Sequence, residues 1–341
     1  MMKRWQAFKR LLPLMASIAL LLSACGREDL SALRPQGPVA QGSYDLMKLA
    51  ISIMICVLLV VFGIATYVWI KFRRKKGQTE PPEQVEGNFK LEVIWTVIPL
   101  ILVFILAVPT IQKVFAMGED YTKDKNAVHV KVTSHQFWWE FEYPDYGVKT
   151  AQDLIIPTNK RISFQLKTAD VLHSFWVPSL SGKIDTNPDG TINKWSFTAP
   201  KEGVYLGKCA ELCGQSHALM EFKVKAVSPE SFDRWVAAMK EPAKLPEDPQ
   251  IAETFKNQCL TCHAVGDQGG PAAPNLTGIG GRETVASILI NDESHPVKEN
   301  LKKWISDPQK VKPGNLMPKV DLTAEQIDGI ADYLANYKLN Y

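Results

Sequence analysis

The sequence predicts a multidomain membrane protein: a two-helix transmembrane hairpin, then a small all-β domain, then a small all-α domain. Three observations carry this. Apolar residues crowd the first third of a 341-residue chain whose formal net charge is only +3. A middle segment alternates apolar and polar residues, and a terminal segment repeats apolar residues at helical spacing. The length accommodates several domains. The small charge leaves no electrostatic footprint for nucleic acid, which is excluded as a partner.

The first apolar run reads as a signal peptide over residues 1–24. "MMKRWQAFKR" is its basic region, "LLPLMASIALLL" its apolar core and "LSAC" its exit. Leu22-Ser23-Ala24-Cys25 resembles the bacterial lipobox, which makes Cys25 the expected site of lipidation and of contact with membrane lipid. Residues 25–118 then read as a lipid-anchored N-terminus and a hairpin with helices over about 46–70 and 91–116. "KFRRKK" at 71–76 places the hairpin's turn in the cytoplasm by the positive-inside rule. Pro99 and Pro109 are tolerated in a membrane helix, where neighbours re-satisfy the backbone. Everything beyond the second helix is then extracytoplasmic, on the outer face of a bacterial plasma membrane.

Residues 119–238 read as the β domain. "AVHVKVT", "RISFQLKT" and "EFKVKAV" alternate apolar and polar residues between Pro, Gly and Asp turns, the pattern of a Greek-key barrel or sandwich. Within it, "KCAELCGQSHALM" places Cys209, Cys213, His217 and Met220 at spacings of four, four and three, and His173 lies thirty-six residues before Cys209. An oxidising compartment makes a disulfide the default for two nearby cysteines. A disulfide, however, leaves His217 and Met220 as coincidences, and zinc has no use for a thioether. Imidazole, thiolate and thioether together suit copper. One cysteine would complete a mononuclear set. Two thiolates on one loop can each bridge two metals, which points to a binuclear copper site.

Four stretches carry a family resemblance: "LEVIWTVIP", "SHQFWWEFEYPDYG" (134–147), "VLHSFWVPSL" (171–180) and "CAELCGQSHALM" (209–220). From the hairpin to about residue 240 the chain resembles subunit II of the haem–copper cytochrome c oxidases. The resemblance implies a cupredoxin-like Greek-key β-barrel holding a binuclear Cu-A centre. Its ligands would be His173, Cys209, Cys213, His217, Met220 and the backbone carbonyl of Glu211. It also implies a magnesium ion facing Glu211 at the boundary with subunit I, and a proton-uptake role for Glu92. The family places Trp after the Gln of the aromatic motif, where electrons come in. Here that residue is Phe137, followed by Trp138 and Trp139, and for each of the three a plain packing role on a strand is equally open.

Residues 239–248, rich in proline and charge, read as a stiff exposed linker. Beyond it, Cys259-x-x-Cys262-His263 has the spacing of covalent c-type haem attachment, with His263 as axial ligand. Met317 in "KPGNLMP" is the expected second axial ligand. "PQIAETFKNQ" reads as a helix, and "TAEQIDGIADYLANY" opens with a Thr323/Gln326 capping box and places Ile327, Ile330, Ala331 and Leu334 on one face. Residues 249–341 resemble an all-α class I cytochrome c, in which Pro274 matches the proline whose carbonyl accepts from the ligating imidazole; Trp304 fits a haem neighbour and a core residue equally.

The remaining histidines, His129, His135 and His295, lack companion ligands and read as structural or surface residues. The resemblance therefore implies a subunit of a proton-pumping terminal oxidase. It would take electrons from cytochrome c or another respiratory donor, pass them through its own haem and copper, and deliver them to oxygen chemistry in subunit I, with subunit III alongside. A nitrous-oxide reductase would lack the hairpin, a copper-delivery protein would lack Met220, and a quinol-oxidase subunit would have lost the metal ligands.

Overall fold

The computed structural model describes residues 15, 17, 26–74, 77, 79, 84 and 86–341. The expected lipidation site Cys25 and nearly all of the expected signal peptide lie outside these residues, as do Lys75 and Lys76 of the basic turn. The chain divides into two compact units, one of residues 42–118 and one of residues 1–41 with 119–341.

Two helices are long and apolar enough to cross a membrane, α1 (Pro38–Phe72) and α2 (Phe89–Met117), with mean hydropathies of 2.8 and 2.7 over an 18-residue window of each. Helix α1 starts well before the apolar run that signals it. Its polar first turns carry a Lys48–Asp45 ion pair at 2.9 Å, which hydropathy cannot see. Helix α2 is capped by the Asn88 side chain, which accepts from the amides of Lys90 and Leu91. It runs unbroken through Pro99 and Pro109.

The β domain holds ten strands: β1 (Val128–His135), β2 (Trp138–Tyr143), β3 (Val148–Ala151), β4 (Asp153–Pro157), β5 (Ile162–Thr168), β6 (His173–Trp176), β7 (Lys183–Thr186), β8 (Asn193–Phe197), β9 (Gly203–Cys209) and β10 (Glu221–Val227). They form two five-stranded sheets, ordered β3-β2-β1-β5-β8 and β4-β10-β9-β6-β7. The pairs β1/β5 and β4/β10 are parallel and the others antiparallel, the mixed pattern of a cupredoxin-like fold. Only Gln152 separates β3 from β4, so the chain crosses between the sheets at one residue with φ 69°. Its amide donates to Trp139 O on one sheet and its carbonyl accepts from Lys223 on the other.

Alternation sends Val130, Val132, Phe141, Phe164 and Phe222 inward. At the centre Phe175 stacks on Phe222 with ring centroids 4.7 Å apart, and Trp139 meets both edge-on or tilted. Gly207 on β9 leaves room for the Phe222 ring, which a Cβ there would strike. An amphipathic helix α3 (Pro229–Met239), capped by Ser228, closes one side with Phe232, Trp235 and Met239. Residues 26–40 form a strap on this domain. Leu206 N donates to Asp29 O, Gln36 N to Ser179 O and Ala40 N to Leu180 O. Gly37 fits because a Cβ would sit 3.0 Å from two backbone carbonyls.

Beyond α3, residues 240–248 are not wholly free. Ala243 N donates to Asp267, and Ala243 and Leu245 pack on the second core. That core belongs to α4 (Pro249–Gln258), α5 (Val297–Ser306), the short α6 (Pro308–Val311) and α7 (Ala324–Asn336). The Thr323/Gln326 capping box is formed, and Ile330, Ala331 and Leu334 are buried with Phe255 and Leu301. Gly329 lets α7 approach Ile251 of α4. The domain is not purely helical. Two-residue ladders join β11 (Ala264–Val265) to β12 (Gln268–Gly269) and β13 (Thr284–Val285) to β14 (Leu289–Ile290).

Candidate metal centres

Strand β9 ends at Cys209 and β6 begins at His173, side by side, because Phe175 pairs with Cys209 in the ladder. The loop after β9 returns through a 3-10 turn at His217–Leu219 to Met220, whose carbonyl accepts from Cys209 N. Six donor groups thereby gather at one end of the barrel. The Cys209 and Cys213 sulfurs stand 3.9 Å apart as free thiols. His173 Nδ1 lies 3.9 Å from Cys209 Sγ, and His217 Nδ1 lies 3.5 Å from Cys213 Sγ. Met220 Sδ is 3.8 Å from Cys213 Sγ, and the Glu211 carbonyl is 3.2 Å from Cys209 Sγ. His173, Cys209 and Cys213 are all buried, with ligand atoms within 4.8 Å of one another.

The thiols titrate as a pair. Their mutual hydrogen bond holds Cys209 well below the usual thiol range, the His173 ring adding to the effect, and raises Cys213 far above it. Full ionisation of both thus calls for a cation between them. Two thiols each facing its own imidazole, with a thioether and a carbonyl at the margins, fit a pair of soft metal ions better than one closed tetrahedral ion.

Sequence reasoning missed the groups that hold this set in place. Asp170 divides its carboxylate: one oxygen meets His173 Nε2 at 2.7 Å, the other accepts from Gln136 N at 2.6 Å. Occupying Nε2 aims Nδ1 at the sulfurs. The Gln136 side chain donates to Cys213 O at 2.6 Å. Of the aromatic trio, Phe137 and Trp139 are buried, and half-buried Trp138 stacks on His135 at 4.1 Å. None is a freely exposed ring. Glu211 is half-buried beside exposed Leu212, and Glu92 lies exposed in the first turn of α2.

In the C-terminal domain, Cys259 caps α4 and the chain turns at once. Cys262 and His263 both donate their amides to Cys259 O, which puts all three side chains on one tight loop. His263 Nδ1 lies 2.7 Å from Pro274 O, leaving Nε2 as the lone-pair nitrogen. Burial lowers the His263 pKa and keeps the ring neutral, as a ligand requires. Burial also pushes the Cys259 thiol up to about 11, the opposite of a reactive redox cysteine. The two cysteines are free and unlinked. These residues fit a c-type haem. Met317 is half-buried after α6, its amide donating to Asn315 at 2.8 Å, and Trp304 packs on the second core.

His129 and His295 pair with Asp145 and Asp292 at 2.6 and 3.1 Å, away from any cysteine.

Comparison with known proteins covers nearly all of the chain. Residues 34–112 match the family described as cytochrome c oxidase subunit II, transmembrane domain, and residues 147–227 match its periplasmic domain. Residues 250–338 match the cytochrome c family. The chain is 46% identical over 347 residues to cytochrome c oxidase subunit 2 of Alkalihalophilus pseudofirmus, covering 99% of each. It is 48% identical to the subunit of that name from Bacillus sp. (strain PS3), covering 97% of this chain and 98% of the relative. A quinol oxidase subunit 2 of Bacillus cereus is 37% identical, covering 75% of this chain and 86% of its own length.

Proposed function

The chain belongs to the cytochrome c oxidase subunit II family and is a subunit of that oxidase, and from this membership we propose that it is the subunit through which electrons enter. It is a membrane protein with a periplasmic domain and a cytochrome c domain. Bound haem c and Cu-A copper would supply one-electron transfer, from an external cytochrome c or another donor toward subunit I.

In this reading His173, Cys209, Cys213, His217, Met220 and the Glu211 carbonyl hold two coppers. Cys259 and Cys262 anchor the haem, and His263 and Met317 ligate its iron. Asp170 and Pro274 orient the His173 and His263 imidazoles through the nitrogens that do not face metal. The Glu211 carboxylate faces magnesium where subunit I docks, Glu92 lies at a proton-uptake path, Cys25 carries lipid, and subunit III completes the assembly. The domains run 25–118, 119–238 and 249–341, with 239–248 linking the last two.

One observation carries the binuclear assignment: two unbonded sulfurs 3.9 Å apart, each beside its own histidine. The test is metal content and electron paramagnetic resonance of the purified complex. The native spectrum should show the seven-line hyperfine pattern of one unpaired electron shared by two coppers. Cys209→Ser should abolish it while the haem spectrum persists. One copper per subunit II beside the haem iron, or an unaltered copper signal in Cys209→Ser, sinks the reading.

A further inference from the structure

Four non-glycine residues among those described have left-handed backbone: Gln152, Asn159, Ala286 and Ser287. Three of them meet at one contact. Ala286 and Ser287, with φ 52° and 73°, form the tip of the β13–β14 hairpin, closed by Ile288 N donating to Val285 O. Positive φ at both central positions marks a type I′ turn, a conformation that Asn-Gly fills without strain and Ala-Ser does not. The tip points at Gln152, the sheet-crossing residue of the copper domain, whose Nε2 donates to Ser287 Oγ. Strained backbone persists only where its surroundings over-determine it, and it gathers at functional contacts.

A buried lysine completes the contact. Lys312 is 3% exposed, and its ammonium donates to Ala286 O at 3.1 Å and Ser287 Oγ at 3.3 Å. Burial pushes its pKa down to about 7. An ammonium held by neutral acceptors is a costly way to fill a core, so its retention calls for a role. Lys312 opens the loop that leads to Met317. The next residue, Pro313, accepts through its carbonyl from Ser216 Oγ at 2.5 Å, one residue from His217. The side-chain oxygen of Gln152 accepts from Trp139 N, and the Trp139 ring lies edge-on to His173 at 6.2 Å. The contact therefore joins the segments bearing one proposed ligand of each centre.

We propose that Gln152, Ser287 and Lys312 form a latch seating the haem domain on the copper domain, and that they are positioning residues for haem-to-copper electron transfer. The inference rests on the two-centre reading above. The step it governs moves one electron from reduced haem iron to oxidised copper, with no bond made or broken and no proton transferred. The latch fixes the separation on which that rate steeply depends.

The test uses Ser287→Ala and Lys312→Met in the full chain assembled into its oxidase. Hydrogen exchange of peptides covering 284–290 and 215–217 should speed at least tenfold together, because opening the latch frees both faces. Single-turnover haem-to-copper transfer should slow at least tenfold, while reduction of the haem by an external reductant keeps its native rate. The double variant should be no slower than the slower single, as expected of one latch. Faster exchange confined to the hairpin, or unchanged transfer with both centres loaded, overturns the inference. If Lys312→Met fails to mature, Ser287→Ala, which removes a single oxygen, decides the matter by the same two measurements. A native protein lacking the copper or haem spectrum would instead sink the two-centre reading itself.

Discussion

Asp170 illustrates what a single side chain decides. Its two oxygens fix the His173 ring and the Gln136 amide, and Gln136 in turn holds the carbonyl of Cys213. Asp170→Ala should leave all the ligands present yet weaken copper binding by ~10- to 100-fold, as removal of outer partners commonly does. Competition titration with a copper chelator measures this; native affinity would show that the ring needs no such support. The proposed ligands are legible in the sequence because Cys, His and Met seldom fall at such close spacing without a metal to hold. Asp170 is not, since a loop carboxylate carries no pattern. His135 adds a pH effect. Burial lowers its pKa to about 4, Asp170 opposing, against ~6.5 when unfolded. The unfolded chain therefore binds more protons between these values, so stability is full above ~6.5 and falls as the pH drops toward about 4. With the ring partly solvated, the loss should be about 1–2 kcal/mol. Thermal midpoints of native protein and His135→Gln across that window should converge at low pH; parallel curves would remove His135 from the acid limb.

At the scale of elements, β9 carries more than its hydrogen bonds. Its Gly207 gives the Phe222 ring the space in which it stacks on Phe175, directly beneath the Cys209 end of the strand. Gly207→Ala should displace that ring and destabilise the domain by about 1–3 kcal/mol, the usual cost of overpacking. A lowered thermal midpoint with a perturbed copper spectrum is the expected result, and a native midpoint would mean the ring moves aside freely. The long alternating strands β1, β5 and β10 and the capped helix α7 are readable because periodicity spans whole elements there. Helix α3 is not, because its apolar residues follow a strand of similar composition with only Ser228 and Pro229 to mark the change. The two-residue ladders of the C-terminal domain are too short to leave any period.

For the whole molecule, the joining segment limits how far the β domain and the cytochrome c domain can part. A short tether holds its partner at about millimolar effective concentration. Proteolytic cleavage between Lys240 and Asp248 should leave both centres intact but make haem-to-copper transfer depend on protein concentration once the pieces are separated. Transfer that stays independent of concentration after complete separation would argue that another donor serves the copper. The domains are legible one by one, each through its own motif. Their contact is not, because Gln152, Ser216, Ser287 and Lys312 are scattered along the chain and unremarkable by type. Only folding brings them together.

The strap of residues 26–40 carries a consequence for biosynthesis. Asp29 bonds to Leu206 of β9, and Gln36 and Ala40 bond to the turn after β6. At ~5–20 residues per second, the ~180 residues from Asp29 to Leu206 need about 10–35 seconds to be made. Until then residues 26–40 have no sheet to join. Closing the strap must therefore wait for β9, which ties the start of the described chain to a late step in the folding of the β domain.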